Sequence, residues 1–398
     1  MSSIPYALPD IGEAEIEAVA DAMRSGWVTT GPAARAFEQE FAARIGGGVH
    51  AVGVNSATAG LHLAMEALGI GHGDEVIAPT LTFTATVEVV RYLGADPRIV
   101  DVDPATLNID PAAIEAAITP RTKAIVVVHY GGLACPMDEI LSLAERHGIA
   151  VIEDAAHAFP TTYRREMIGT LRSAATIFSF YANKTMTTGE GGMIISHDIA
   201  LIERTRKMRL HGIDRDAFDR FRSNRPSWYY EVVAPGYKYN MSDMAAALGR
   251  VQLTRIDDFA TKREAIATRY DAAWADLPII LPPRPLDGDK HAWHIYALRL
   301  DWEGVSEADR DAIITKLFDE GIGISVHYIP LHKHPYWREK YDLSPHHYPA
   351  AEKIFSTIFS VPLYTAMTES QVDRVIEAVR KVVLDQYNER KSLEEISC

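Results

Sequence analysis

The chain has 398 residues, 47% of them hydrophobic and 24% charged, and its 40 Lys and Arg against 54 Asp and Glu leave a net charge of −14. That describes a soluble globular protein of one large or two ordinary domains, and it argues against nucleic acid or an anionic membrane as the main partner. Two cysteines, Cys135 and Cys398, fit a reducing compartment better than a disulfide framework. No apolar run approaches the ~18 residues of a membrane span, and Met1–Tyr6 lacks a basic stretch leading into an apolar core. The expected location is therefore the cytoplasm.

Taken in order, Asp10 and Glu13 fit a capping box that opens a helix with Ile16, Val19, Ala20 and Met23 at helical spacing and Gly26 beyond its end. After Gly31 and Pro32 a second helix places Phe37, Phe41 and Ile45 on one face. Short β-rich runs over 50–54, 75–78, 98–101, 123–129 and 150–154 then alternate with amphipathic helices over 57–68, 84–93, 111–118 and 137–147. Two further apolar runs, 175–180 and 193–196, flank a loop. This alternation predicts a large α/β domain over 1–250, with a mostly parallel sheet sandwiched by helices. A long helix near 242–277 bridges to a smaller α+β domain over 251–398. Its strands are expected over 294–300 and 322–328, its helices over 307–320, 350–358 and 368–384, and the charged tail from Asn388 reads as frayed.

Ligands of an open α/β sheet bind beyond the carboxyl ends of its strands, and three loops at such ends are unusual. Asn55-Ser56-Ala57-Thr58-Ala59-Gly60 offers open backbone N–H groups and hydroxyls at a helix start, which suits an anion such as phosphate; taken alone it better suits ordinary capping by Ser56 or Asn55. Glu153-Asp154-Ala155-Ala156-His157-Ala158 puts acids directly after a buried strand, which is expensive unless they are paired, although a capped helix start would read the same way. Lys184 sits in the loop between the apolar runs, ahead of Gly189-Glu190-Gly191-Gly192. A phosphate cradle, a buried acid, a loop lysine and the aromatic Phe83 together fit one cofactor, pyridoxal 5'-phosphate. That cofactor needs a lysine for its Schiff base, an acid on its pyridine nitrogen, an anion site and a flat wall.

The same stretches resemble the DegT/StrS-type sugar-nucleotide aminotransferases, a branch of the fold-type I pyridoxal-phosphate enzymes. The likeness runs through Ser25 to Pro32, Asn55 to His62, Gly71 to Ile77, Glu153 to Ala158, Ser179 with Lys184 and Gly189 to Gly192, and Gly236 to Met241. Gly236 to Asn240 and His291-Ala292-Trp293-His294 are most similar to the members that make UDP-4-amino-4-deoxy-L-arabinose. The resemblance implies the fold-type I architecture with a smaller C-terminal α+β domain. It also implies a cytoplasmic homodimer that moves an amino group from an amino acid, glutamate in the first instance, to a 4-keto nucleotide sugar. By the same resemblance Lys184 would carry the Schiff base and shuttle the proton, Asp154 would pair with the pyridinium, His157 would lie by the ring's phenolic oxygen, and Phe83 would stack on the ring. Ser56, Ala57, Thr58 and Ser179 would hold the phosphate, and Asn240 would reach the phosphate of the neighbouring subunit's cofactor. Thr29, Tyr181 and His327 would meet the substrate. Tyr181 stands where relatives often carry His, Phe83 where some carry Trp, and Tyr163-Arg164-Arg165-Glu166 lacks a turn glycine common there.

Other constellations carry less. His332, His334, His346 and His347 lack metal-ligand spacing, so no metal is expected. Gly69, Gly71 and Gly73 precede a strand rather than follow one, which is the wrong context for a dinucleotide loop. Arg204, Arg206, Lys207, Arg209 and His211 read as a solvated face before a nucleotide clamp, and 224–230 reads as an insertion near the site. Three rival readings stand beside the aminotransferase. A dehydratase of the same fold would replace the Schiff-base lysine with histidine. A cofactor-binding regulator would keep Lys184 and Asp154 without turnover, and an interaction scaffold would bind no cofactor.

Overall fold

The computed structural model describes residues 3–214 and 228–397. After helices α1 (Glu13–Arg24) and α2 (Pro32–Ile45), strands and helices alternate as β1 (His50–Val54), α3 (Ala57–Ala67), β2 (Glu75–Pro79), α4 (Ala85–Tyr92), β3 (Asp96–Val100), α5 (Pro111–Ala117), β4 (Thr122–Val128), α6 (Met137–His147) and β5 (Ala150–Asp154). A short hairpin, β6 (Thr162–Tyr163) and β7 (Glu166–Met167), precedes β8 (Ala175–Ser179), β9 (Gly192–Ser196) and α7 (Ile199–Met208). The long helix α8 (Asp243–Trp274) leads to β10 (Ile279–Ile280), β11 (Tyr296–Leu300), α9 (Glu307–Asp319), α10 (Pro335–Tyr341), α11 (Pro349–Thr357), β12 (Ile358–Val361) and α12 (Glu369–Ser397).

Seven strands form the main sheet in the order β1-β9-β8-β5-β4-β2-β3. β9 runs antiparallel to both β8 and β1, while β8, β5, β4, β2 and β3 are mutually parallel. The central strands are apolar on both faces, as a sheet covered on both sides requires. Val126 and Ile152 pack with α3 and α4, whereas Val127 and Val151 pack with α6. A second, antiparallel sheet, β10-β11-β12, gathers a separate core with Tyr270 and Trp274 of α8 and Val375 and Val379 of α12. The first half of α8 packs instead on the main sheet's side, through Ala246, Leu253, Ile256 and Phe259.

Four expectations change. The first helix is capped by Glu15, not by the Asp10–Glu13 pair: Glu15 Oε2 accepts the Gly12 N–H at 3.0 Å, and Asp10 instead pairs with Arg255 at 2.6 Å. The stretch 322–328 is extended but not a strand. It makes single bridges, Ile322 to Ile4 and Ser325 to Ser360, one residue to each neighbour, which is too little contact to form a ladder. β12 follows α11 directly where only a helix is expected, since its four buried residues are too short a run to show a period. The charged tail continues α12 to Ser397, with Lys316 of α9 bonded to Gln386 and Glu389.

The hairpin without a turn glycine closes nonetheless. Arg164 and Arg165 take φ of 50° and 68°, a left-handed turn that favours glycine or asparagine. Asp289 holds it, accepting Arg164 N at 2.7 Å, Arg165 N at 2.5 Å and the Thr162 hydroxyl at 3.0 Å. Asp289→Ala is therefore expected to lower unfolding stability by about 0.5–1.5 kcal/mol, the net loss when exposed N–H groups return to water; urea unfolding of the two proteins measures it.

Candidate active site

Three strand ends meet at the carboxyl edge of the main sheet and enclose a cavity of about 380 Å³. At the end of β1 the chain turns into α3, and Ser56 caps that helix by accepting Ala59 N at 3.1 Å. The cap leaves Ala57 and Thr58, with their N–H groups unpaired within the helix, on the cavity wall. The wall also depends on β9. A Cβ on Gly192 would stand 2.8 Å from Ala57 N and 2.9 Å from Phe178 O, so only glycine lets the strand pass this close to the helix start. Asp154 ends β5, buried, with Oδ1 accepting Ala156 N at 3.2 Å and Oδ2 accepting the Thr86 hydroxyl of α4 at 2.9 Å. Lys184 projects from the loop joining β8 to β9.

The electrostatics follow from burial. Desolvation raises Asp154 above the usual carboxylate range, against its two hydrogen bonds and the nearby Lys184 charge. The same desolvation pulls the Lys184 ammonium down to about 8, with Asp154 working the other way. His327 is lowered to about 3 by desolvation and then by Lys184. His157 is held well below its ordinary value for the same two reasons, so both rings are neutral. His157 Nδ1 accepts Gly131 N at 3.3 Å, which assigns the proton to Nε2 and makes Nε2 the donor to the Tyr328 hydroxyl at 2.8 Å.

Of the residues singled out from sequence, Ser56, Ala57, Thr58, Phe83, Asp154, His157, Ser179, Tyr181, Lys184 and His327 all line this cavity. Thr29 and Asn240 do not. Thr29 is exposed and gives its carbonyl to Asp243 N. Asn240 bonds to Thr30 and Lys238 and lines a neighbouring open hollow with Asn55 and Glu190. Sequence reasoning missed Thr86, which buttresses Asp154, and Tyr328, which meets His157. It quoted His294 only within a motif, yet His294 Nε2 lies 3.3 Å from Lys184 Nζ. Three buried-group partners on three separate elements leave no local pattern to read; only the run His327-Tyr328 placed one of them beside a named residue.

The remaining constellations are structural. His332 is buried between the Thr80 hydroxyl and Glu352, each 2.7 Å away, and this tie holds the proline- and histidine-rich loop against the strand end that carries Phe83. Among the described residues no three His, Cys, Asp or Glu side chains converge as a metal site. Arg204 pairs with Glu66, and Arg209 is buried against Glu38 and the Gly53 carbonyl, so the basic helix face is partly an internal strut. Of the stretch 224–230, residues 224–227 lie outside the described residues, and Trp228, Tyr229 and Tyr230 are exposed.

The donor set fits pyridoxal phosphate. Hydroxyls of Ser56, Thr58 and Ser179 stand at a helix N-terminus, the arrangement that binds a phosphate. The aromatic Phe83 and the small Ala57, Ala85 and Ala156 leave room for a flat ring. A carboxylate buried as deeply as Asp154 stays ionised only beside a cation, which a pyridinium supplies.

Comparison with known proteins gives the family and the fold. The model of the DegT/DnrJ/EryC1/StrS aminotransferase family matches residues 9–380. The spore coat polysaccharide biosynthesis protein SpsC of Bacillus subtilis (strain 168) is 49% identical over 381 residues, 96% of this chain and 97% of that protein. Among solved structures, the sugar aminotransferase Spr1654 of Streptococcus pneumoniae in its PMP form superposes with a TM-score of 0.90 at 34% identity, covering 96% of this chain and all of that one. Helicobacter pylori PseC, an aminotransferase of pseudoaminic acid biosynthesis, superposes with a TM-score of 0.88 at 27% identity, over 96% of this chain and all of that one.

Asp154 separates function from stability. Its raised value means that, without cofactor, the ionised carboxylate weakens the fold at neutral pH and does so less as pH falls and the group protonates. Asp154→Asn keeps an acceptor for Ala156 N and turns an amide toward Thr86. The cofactor-free variant is expected to melt above the cofactor-free wild type at pH 7, with the gap closing in acid, while losing most turnover. Melting curves across pH together with turnover measure both; near-normal turnover would exclude the proposed role of Asp154.

Proposed function

This chain belongs to the DegT/DnrJ/EryC1/StrS aminotransferase family, and we propose that it is a pyridoxal-phosphate-dependent enzyme aminating carbon 4 of a UDP-linked keto-sugar, with L-glutamate as donor, for a cell-surface glycan or lipopolysaccharide. The observation that carries the reading is the gathering of Lys184, Asp154, His157 and the Ser56–Thr58 helix start around one cavity. The likeness of Gly236 to Asn240 and His291 to His294 to the UDP-4-amino-4-deoxy-L-arabinose branch supports carbon 4 and UDP. The same chemistry at carbon 3, or on a dTDP- or GDP-linked sugar, is the nearest alternative. In this reading residues 1–250 form the cofactor domain, 251–398 the smaller one, and the enzyme works in the cytoplasm.

Lys184 holds the cofactor through its amine, Ser56, Ala57, Thr58 and Ser179 hold its phosphate, Asp154 its pyridine nitrogen, and Phe83 flanks its ring. When bound, pyridoxal phosphate supplies an electron sink and an aldehyde carbon that carries the amino group from donor to acceptor. Lys184, with a value near 8, is neutral in an appreciable fraction at pH 7 and so takes and returns the proton on the reacting substrate carbon. Asp154 keeps its counter-charge fixed throughout. His157, neutral and pinned by Gly131, orients the Tyr328 hydroxyl at the cavity wall. His327, held by Ser360 at 2.9 Å, and Tyr181, exposed at the mouth, meet the sugar. Donor and acceptor share the site in turn, which implies ping-pong kinetics.

Among the described residues lining the cavity, Lys184 is the one Lys or Arg, too few cations for a phosphate, a donor's carboxylates and a nucleotide diphosphate. This supports a homodimer in which the second copy completes each site, with Asn240 reaching the neighbour's cofactor phosphate.

Two experiments test the proposal. Adding pyridoxal phosphate is expected to give a yellow visible band that L-glutamate bleaches, after which a panel of nucleotide 4-keto-sugars with NMR of the product identifies the acceptor. Absence of the band overturns the role of Lys184; a band that glutamate leaves unchanged overturns glutamate as donor. Mixing Lys184→Ala and Asn240→Asp proteins, each inactive alone, is expected to restore activity through hybrid dimers, and no recovery overturns the shared site.

A further inference from the structure

His294 lies behind Lys184, outside the cavity lining, and is buried. Its Nε2 is 3.3 Å from Lys184 Nζ, and among the described residues that is the hydrogen-bond partner Nζ has. Its other ring nitrogen, Nδ1, is buried with no partner. A buried imidazole left half-satisfied is unusual, and each such group calls for a reason.

The surroundings fix this ring with unusual care. The preceding residue, Trp293, has φ of 47°, an outlier for a bulky side chain. Four contacts impose it. Arg263 Nη1 donates to Trp293 O at 2.9 Å, Trp293 N donates to His291 Nδ1 at 2.8 Å, Trp293 Nε1 donates to Glu264, and the Arg284 guanidinium lies 4.7 Å from the indole centroid. His294 N then donates to Gly131 O at 3.0 Å. The approach is possible because Gly132 has no side chain; a Cβ there would stand 3.0 Å from Ala292 Cβ and 3.1 Å from Trp293 N. The His294 ring packs 4.5 Å from that of His157. Strain held by this many contacts, one residue from the lysine's partner, points to a function rather than to packing.

We propose that His294 is a positioning residue that receives the Lys184 amine whenever it is off the cofactor, with Nε2 accepting an N–H of Nζ so that the amine is held facing the cavity. The inference rests on the function proposed above for its purpose, but the contact it describes is between two of the chain's own side chains and can be tested without cofactor. An ammonium can only donate, so Nε2 must be unprotonated to serve it and the proton sits on Nδ1, whose N–H is left without an acceptor as the cost of presenting Nε2 to the lysine. The other groups facing Lys184 are Asp154 from β5, His157 from the turn that follows, and His327 and Tyr328 from the extended segment; Asp154 favours the ammonium, and the histidines are neutral.

The test uses the full-length, cofactor-free protein. Lys184 is labelled with trinitrobenzenesulfonate, which reacts with the neutral amine, and followed by peptide mass spectrometry across pH. Removing an acceptor from the charged form lowers a lysine's value, so His294→Phe is expected to move the labelling midpoint down by about one pH unit. His294→Gln, which can return an acceptor near Nε2, is expected to restore the wild-type midpoint. An unchanged or raised midpoint in the phenylalanine variant, or no restoration by glutamine, overturns the proposal. If the phenylalanine variant does not fold, the nitrogen shifts of ¹⁵N-histidine-labelled wild type decide: protonated Nε2 on His294 below the Lys184 midpoint overturns it too. Borohydride reduction of wild type with pyridoxal phosphate, read at the Lys184 peptide, keeps the two readings apart. No adduct there sinks the proposed function while leaving the midpoint comparison intact.

Discussion

A carboxylate is buried at the end of β5, and the site is arranged around that fact. Asp154 has two neutral hydrogen-bond donors, Ala156 N and Thr86, and two nearby cations, Lys184 and a His129 ring already paired with Glu153. Neutral donors hold the geometry of a carboxylate but do not offset the desolvation of its charge. The protein thus carries a negative charge that a cationic ring inside the cavity would relieve. Lys184 is the mirror case, an amine desolvated to about 8 beside that carboxylate. Neither group is fully matched by the protein's own side chains, and in the proposed reading one ligand would serve both, which links affinity to chemistry.

Much of this was legible in sequence because it is local. A strand followed by small residues and a cap, as in Val54-Asn55-Ser56-Ala57, marks a helix start, and together with the other two loops it pointed to an anion site. Acids after Ile152 and a lysine ahead of Gly189 to Gly192 stand out because buried strands rarely end that way. The alternation of β and α runs was equally readable, since a sheet covered on both faces needs continuous apolar strands. What failed was non-local. Glu15 rather than Glu13 closes the first cap because Asp10 is drawn to Arg255, some 240 positions away in sequence. The expected strand at 322–328 forms no ladder because it meets two different segments at one residue each, Ile4 and Ser360, which its own sequence does not reveal.

The same distinction explains which site residues were missed. Thr86, Tyr328 and His294 do not sit in Gly-rich loops or beside acids; each is defined by the partner it meets. They form a layer that fixes the orientation of Asp154, His157 and Lys184. Rigidity in that layer comes from the main sheet on one side and from the second sheet's leading segment on the other, with Gly131 bonding both His157 and His294. A backbone turn of two glycines at the end of β4 therefore couples the two histidines nearest the lysine.

That coupling bears on how a single lysine can serve two half-reactions. In the proposed reading the amine would hold the cofactor for part of the cycle and move a proton for the rest, and any freedom of the stem would lower the chance that it acts at the right carbon. A flexible four-carbon stem in an open cavity has such freedom, whereas a stem whose tip meets a fixed acceptor does not. The outlier at Trp293 fixes that acceptor from outside the cavity, where no substrate reaches, so the site can change occupants without disturbing it. Strain placed one residue away from the reacting group, on the far side from solvent, is compatible with a cavity that admits an amino acid and a nucleotide sugar in turn.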